Sequence, residues 1–180
     1  MRKQSYHLLR PHLREFHRLD PDERAAWLGF LRAYASVVRE LDGELERAHG
    51  LSLSSYDVLV QLSIAPGDQM RMSELAEAAL LSRAGITRLV ERLERDGLVE
   101  RRHGERDSRQ VFARVTERGL ERLATSAPTH FAGVRGRFLA PLTRTQKREM
   151  AAAWQRILSY SATARQPGKG SGAQSRGSKR

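Results

Sequence analysis

Cysteine is absent from the 180 residues of this chain. That zero excludes disulfides, thiolate metal sites, a thiol nucleophile and a cysteine redox sensor, and it gives no sign of an oxidising compartment. Also missing is any uncharged apolar run approaching the ~20 residues that cross a bilayer. Charges run through the N-terminal stretch MRKQSYHLLRPHLREFHR, so neither a signal peptide nor a membrane span is expected, and the expected location is the cytoplasm. There is no glycine-rich phosphate loop, no HExxH and no paired-carboxylate setting beyond helix surface charges. The six histidines are scattered, and His12 and His17 stand five apart, off a common helical face. An enzyme, a bound cofactor and a metal are therefore not expected.

Acidic residues are scarce at the two ends. Residues 1–19 carry five positive charges and one negative, and residues 164–180 carry five positive and none negative. Nine of the eleven net positive charges thus belong to the ends, while the body is nearly neutral. An argument for nucleic acid must rest on where individual cations fall, not on net charge. The C-terminal stretch RQPGKGSGAQSRGSKR has no large apolar side chain to offset its ordering entropy, so residues 164–180 read as a disordered basic tail. Residues 1–19, with Leu8, Leu9, Leu13 and Phe16 at helical spacing around Pro11, read as an extension that packs weakly on the body.

The body is mainly helical. Asp20-Pro21-Asp22-Glu23 is a strong helix start, and Trp27, Leu31, Tyr34, Val38, Leu41 and Leu45 follow at three or four, widened by Phe30 and Val37, until His49-Gly50. A second helix is expected from Ser54, burying Tyr56, Leu59, Val60 and Leu62, and ending at Ala65-Pro66-Gly67. After a short extended piece, Gln69 to Met72, Ser73 is the expected cap of one helix and Ser82 that of the next, which runs from Arg83 to Arg95. Two helices joined by a tight turn are a helix-turn-helix. Leu98 to His103 and Gln110 to Val115 flank a polar tip and read as a two-stranded wing. Thr116 caps a further helix with Pro128 as a candidate bend, and the box Thr143-x-x-Gln146 opens the last, with Met150, Trp154, Ile157 and Leu158 as its buried face. The fold class expected is mainly α with a small β wing.

On the helix from Ser82 to Arg95, Ile86, Leu89, Val90 and Leu93 share one face, leaving Ala84, Arg88, Glu91 and Arg95 on the other, flanked by Thr87 and Arg92. A helix that enters the major groove needs such a face. Ala84 and Gly85 give room for close approach, and Arg83, Thr87 and Arg88 give reach to base edges or phosphates. Ser82 stands at the helix N-terminus, where the backbone favours a phosphate. A solvated amphipathic helix has the same pattern. The wing adds Arg101, Arg102, Arg106 and Arg109 within nine residues. Arginine is the residue drawn into narrow minor grooves, and Asp107 lies near enough to Arg109 to fix its guanidinium. A surface ion pair is the alternative there.

Met72-Ser73-Glu74-Leu75-Ala76, the stretch from Ser82 through Gly85-Ile86-Thr87-Arg88-Leu89 to Asp96-Gly97-Leu98-Val99, and Asp107-Ser108-Arg109 through Val115-Thr116 resemble, in order and spacing, the MarR family of winged helix-turn-helix regulators. The resemblance is close over about residues 50–120. It implies a homodimer that binds double-stranded DNA at a pseudo-palindromic operator, as a repressor released by a small ligand. On this reading 20–50 and 117–163 form the dimerisation region and 51–116 the winged helix-turn-helix. Carried over by position, Arg83, Ala84, Thr87 and Arg88 would meet the major groove and Arg109, oriented by Asp107, the minor groove, with Ser82, Arg92 and Arg106 on phosphates. Relatives that bind small aromatic or anionic ligands imply a crevice beside the reading head, for which Trp27, Phe30, Tyr34 and Tyr56 are the candidates; aromatic residues at helical spacing also serve as plain core.

The residues favour a dimer on their own account as well, since the Trp27–Leu45 stripe and the Met150–Leu158 face are distant in sequence and lie outside the reading module. Packing of the two within one chain is the alternative. The competing function is a winged-helix interaction module whose basic tails coat nucleic acid without sequence choice.

Overall fold

The computed structural model describes residues 16–104 and 110–164, with side chains through 160. The first long helix starts where the sequence places its cap. The Asp20 carboxylate accepts from the backbone N–H groups of Asp22 and Glu23, both at 2.8 Å, and the Glu23 carboxylate accepts from the Asp20 N–H at 2.8 Å. This reciprocal box, with Pro21 behind it, opens α1, Pro21–His49, and Gly50 closes it in the left-handed conformation.

The second helix, α2, is Leu53–Ser63, one residue earlier than its expected start. Its cap is Ser52, not Ser54: the Ser52 hydroxyl accepts from Ser55 N–H at 3.2 Å, and the Leu53 N–H donates to Asp42 of α1 at 2.8 Å. Three serines alternate through Leu51-Ser52-Leu53-Ser54-Ser55, and the burial of Leu51 and Leu53 decides which of them caps. The short strand β1, Gln69–Arg71, then leads directly into α3, Met72–Ala78. Ser73, the expected cap, therefore sits inside the first turn, and the Glu74 carboxylate takes the Arg71 N–H at 3.3 Å.

The recognition-type helix α4, Arg83–Arg95, begins and ends as its sequence indicates, with Ser82 Oγ accepting from Gly85 N–H at 3.1 Å. Gly97, at φ 70°, turns the chain out of it; a side chain is rarely tolerated at that backbone angle. Strands β2, Val99–His103, and β3, Val111–Val115, form the hairpin of the wing, closed by Gly104 N–H on the Gln110 carbonyl at 2.9 Å. The wing has a third strand. β1 pairs antiparallel with β3, Gln69 opposite Arg114 and Arg71 opposite Phe112, giving the order β1-β3-β2. The expected two strands were the local pair; the third is the extended piece expected at Gln69, whose partner β3 lies about 40 residues downstream and could not be read locally.

Thr116 joins the wing to α5, Glu117–Gly133, by accepting from Gly119 N–H at 3.0 Å and donating to the Gly97 carbonyl at 2.8 Å. No break occurs at Pro128. Ala124, whose carbonyl lacks its usual donor there, faces solvent together with Pro128, and the irregularity falls instead at the wider turn Val134–Leu139. Arg137 of that turn reaches back to Glu44 of α1 at 2.8 Å.

The chain divides into two compact units, up to Phe138 and from Leu139. The first holds a continuous core of Leu41, Leu45, Leu59, Leu62, Leu75, Ile86, Leu93, Val99 and their neighbours, in which α1 contributes only its C-terminal half. In the second unit, Thr143 and Gln146 form the expected box at 2.9 and 3.2 Å before α6, Arg144–Ala164. The apolar face of α6 is not buried as expected: Ile157 and Leu158 are 53% and 70% exposed. A helical stripe shows which side is apolar, not what covers it.

At Gly119, α5 packs against Leu98 and Val115 with no room for a side chain. A Cβ there would stand 2.2 Å from the Leu98 carbonyl oxygen and 2.7 Å from Val115 Cγ2. Gly119→Ala should lower the stability of the chain by about 2–3 kcal/mol, as overpacking against rigid backbone does. Urea unfolding followed by circular dichroism measures this, and an unchanged midpoint would contradict the packing described.

Candidate nucleic-acid interface

Helix α4 divides cleanly along its length. Ile86, Leu89, Val90 and Leu93 are buried, each worth about 1.5–3 kcal/mol when fully removed from water. That anchorage leaves Ser82, Arg83, Ala84, Thr87, Arg88 and Glu91 exposed on the opposite side. Among the described residues neither Arg83 nor Arg88 pairs with a carboxylate. Thr87 donates its hydroxyl hydrogen to the Arg83 carbonyl at 2.8 Å, leaving its methyl and oxygen lone pairs outward. Ser82 spends one lone pair on its cap and stays exposed. Ala84 adds no bulk between the two arginines. The face is thus a shallow surface with two free guanidiniums at its edges.

Arg92 is placed differently. It too is exposed, but its Nη2 donates to the hydroxyls of Ser52 at 2.9 Å and Ser55 at 2.8 Å, so this guanidinium is turned towards the N-terminus of α2 and away from the outer face. The sequence reading missed this contact because its partners lie about 40 residues upstream.

The wing is bound to α4 by charge. Arg101 on β2 pairs with Glu94 at 2.7 Å and Glu91 at 3.6 Å, and its backbone N–H donates to Glu94 at 3.2 Å. Arg102 and Arg114 both turn to Glu100, at 2.7 and 3.8 Å. The arginines at the base of the wing are therefore neutralised on the surface, where the sequence had offered Glu91 only as an outward charge. Arg106, Asp107 and Arg109 lie outside the described residues. Between α4 and the wing runs a groove of about 480 Å³, lined by Arg71, Arg83, Thr87, Arg101 and Gln110.

Three of the four aromatic ligand candidates come together, and the fourth, Tyr56, stands apart. Trp27, Phe30 and Tyr34 follow one another along α1 with ring centroids 6.0 and 6.2 Å apart, and remain exposed. Tyr34 borders a crevice of about 650 Å³ between α1, α2 and the α3–α4 turn, with Arg39, Asp42, Asp57 and Gln61. Tyr56, by contrast, is buried in the core and stacks on His130 of α5 at 4.4 Å. Burial pushes the Tyr56 hydroxyl up, with the Asp57 charge adding to it. Burial also raises Asp57, opposed by His130, and lowers His130, opposed by Asp57.

Comparison with known proteins places this geometry. The sequence profile described as MarR family matches residues 49–110. Over 103 residues the chain is 32% identical to the HTH-type transcriptional regulator MhqR of Bacillus subtilis, covering 57% of this chain and 69% of that protein. The crystal structure of AbsC, a MarR family transcriptional regulator from Streptomyces coelicolor, is 34% identical, spans 81% of this chain and 97% of its own, and superimposes with a TM-score of 0.73. The chain belongs to the MarR family. Another MarR family regulator from the same organism, Sco3205, solved in complex with DNA, is 31% identical over 86% of this chain and 95% of its own, with a TM-score of 0.73. The HTH-type transcriptional repressor YetL of Bacillus subtilis is 35% identical over 85 residues, 47% of this chain, and the match reaches only about half of that protein, 51%. In this MarR family chain, no helix among the described residues is long and apolar enough to cross a membrane.

The His130 environment gives a sign to test. Its pKa lies below the ordinary 6.5 in the folded chain, so the unfolded state binds the proton more readily and stability falls as pH drops below about 6.5 towards the folded value. Asp57, raised in the fold, acts in the opposite sense at lower pH, where its own titration lies. His130→Gln should flatten the loss between pH 7 and 5 in thermal melts; a variant with the same pH profile as the parent would refute this.

Proposed function

We propose that this chain is a sequence-specific, DNA-binding transcriptional repressor that works as a homodimer. The observation that carries the reading is the outer face of α4: two unpaired arginines, a threonine and an alanine held outward by a fully buried opposite stripe. In a major groove, Arg83, Thr87 and Arg88 reach base edges while Ala84 permits close approach. Ser82 and Arg106 take backbone phosphates, and Arg109, oriented by Asp107, enters the adjacent minor groove. Arg92, engaged by Ser52 and Ser55, supports the α2–α4 contact instead. The solved DNA complex of Sco3205 and the repressor name of YetL are in line with this reading.

The dimer reading is supported by apolar surface. Trp27 is 51% and Tyr34 61% exposed on α1, beside Phe30 and Leu31, and Leu158 of α6 is exposed as well. Apolar patches of this kind on a soluble chain mark an interaction surface. A second copy covering them sets two reading heads at fixed separation, which selects half-sites about one helical turn apart. A small aromatic or anionic ligand entering the crevice beside Tyr34 would bear on the α3–α4 turn and so on release from the operator.

Duplex selection from a random pool should enrich a pseudo-palindrome bound ~10³-fold or more above random duplex. On that site Arg88→Ala should weaken binding by about 1–3 kcal/mol, and Arg109→Ala by at least several-fold, with melting temperatures little changed. No preference over random duplex would leave only non-specific coating by the basic ends. Sedimentation at micromolar concentration should show dimers, and Leu31→Glu should shift them towards monomers; protomers alone in the parent protein would refute the assembly.

A further inference from the structure

Five arginines of the first unit, Arg71, Arg101, Arg102, Arg114 and Arg137, lie within ion-pair reach of a glutamate. Arg92, Arg118 and Arg122 do not, although all three line the same cavity of about 360 Å³. It lies where the C-terminal end of α1, the N-terminus of α2, the last turn of α4 and the first turns of α5 converge. Two of the three forks are held by neutral acceptors. Arg92 is fixed by the Ser52 and Ser55 hydroxyls at 2.9 and 2.8 Å, and Arg122 donates from Nη1 to the His49 carbonyl at 2.6 Å. The His49 ring is itself held, with Nε2 2.8 Å from the Thr129 hydroxyl. Arg118 is exposed and has no polar partner among the described residues. Glu46 and Asp96 border the cavity as well, but both are exposed and neither pairs with one of these guanidiniums.

Three guanidiniums against the two carboxylates leave the cavity lining net positive, and each fork keeps N–H groups to donate after its neutral contacts are counted. Guanidinium geometry matches the oxygens of phosphate or carboxylate. We propose that this cavity is a binding site for a small polyvalent anion of the phosphate or pyrophosphate class, held by Arg92, Arg118 and Arg122. The occupant bridges the end of α4 to α5 and to the α1–α2 junction. The site is separate from the outer face of α4 and does not depend on that face reading DNA. A DNA backbone phosphate has the same chemistry, but a cavity roofed by four helix ends suits a small ion better than a duplex.

The probe is pyrophosphate, titrated at constant ionic strength into the full chain, with calorimetry and thermal melting as readouts. One saturable site per chain and a rise in melting temperature are expected at millimolar concentrations. Arg118→Gln, whose side chain supports nothing else, should weaken binding about tenfold, and Arg122→Gln at least as much. Arg83→Gln, on the outer face of α4, should leave it unchanged. Should Arg122→Gln fail to fold for want of its His49 contact, Arg118→Gln still decides. The proposal is overturned by an absence of saturable uptake, by Arg118→Gln binding as the parent does, or by equal loss in Arg83→Gln. It is overturned too if pyrophosphate is ignored while Arg118→Gln lowers affinity for duplex, since the cavity then serves a DNA phosphate. Failure of duplex selection, with pyrophosphate still bound, leaves the site standing.

Discussion

Everything at the exposed side of α4 depends on the burial of the other side. A helix of 13 residues has room for one apolar stripe, and Ile86, Leu89, Val90 and Leu93 fill it against α2, α3 and the sheet. Because the backbone is rigid and its period fixed, seating those four side chains also sets where Arg83, Ala84, Thr87 and Arg88 point. The cap at Ser82 and the left-handed exit at Gly97 fix the ends of the same rod. A reading surface built this way is preorganised, since the core has already ordered the backbone that carries it.

The second organising contact is the one between α4 and the wing. Arg101 meets Glu94 and Glu91, and Thr116 bridges to the Gly97 carbonyl, so helix and hairpin are tied at both ends of the intervening turn. Exposed ion pairs add little to stability. Their effect here is on direction: they neutralise the base of the wing, while Arg83 and Arg88 on the helix face stay without a carboxylate partner among the described residues. The pattern of paired and unpaired arginines is therefore more informative than the net charge, most of which sits at the two ends of the chain.

The exposed apolar rings of α1 show the opposite situation, with a stripe that has no core of its own. The C-terminal half of α1 supplies Leu41 and Leu45 to the interior, while the half from Trp27 to Tyr34 extends beyond it. One continuous stripe thus serves two purposes, and the division falls where α2 and α5 cease to cover it. Tyr56 and His130 mark the covered side, stacked together and shifted by burial.

Local chemistry settled much of this in the sequence. The caps at Asp20, Ser82, Thr116 and Thr143, the bounds of α4 and its buried stripe all rest on contacts within a few residues, and those are legible in one dimension. What failed to show needed partners far along the chain. Ser52 rather than Ser54 caps α2 because Leu51 and Leu53 are buried; β1 joins the wing through β3; Arg92 turns to Ser52 and Ser55. Periodicity identifies a face but not its neighbour, and charge identifies a cation but not its counterion. Only the folded backbone, by bringing residues 40 or more apart into contact, decided which faces were covered and which arginines stayed free.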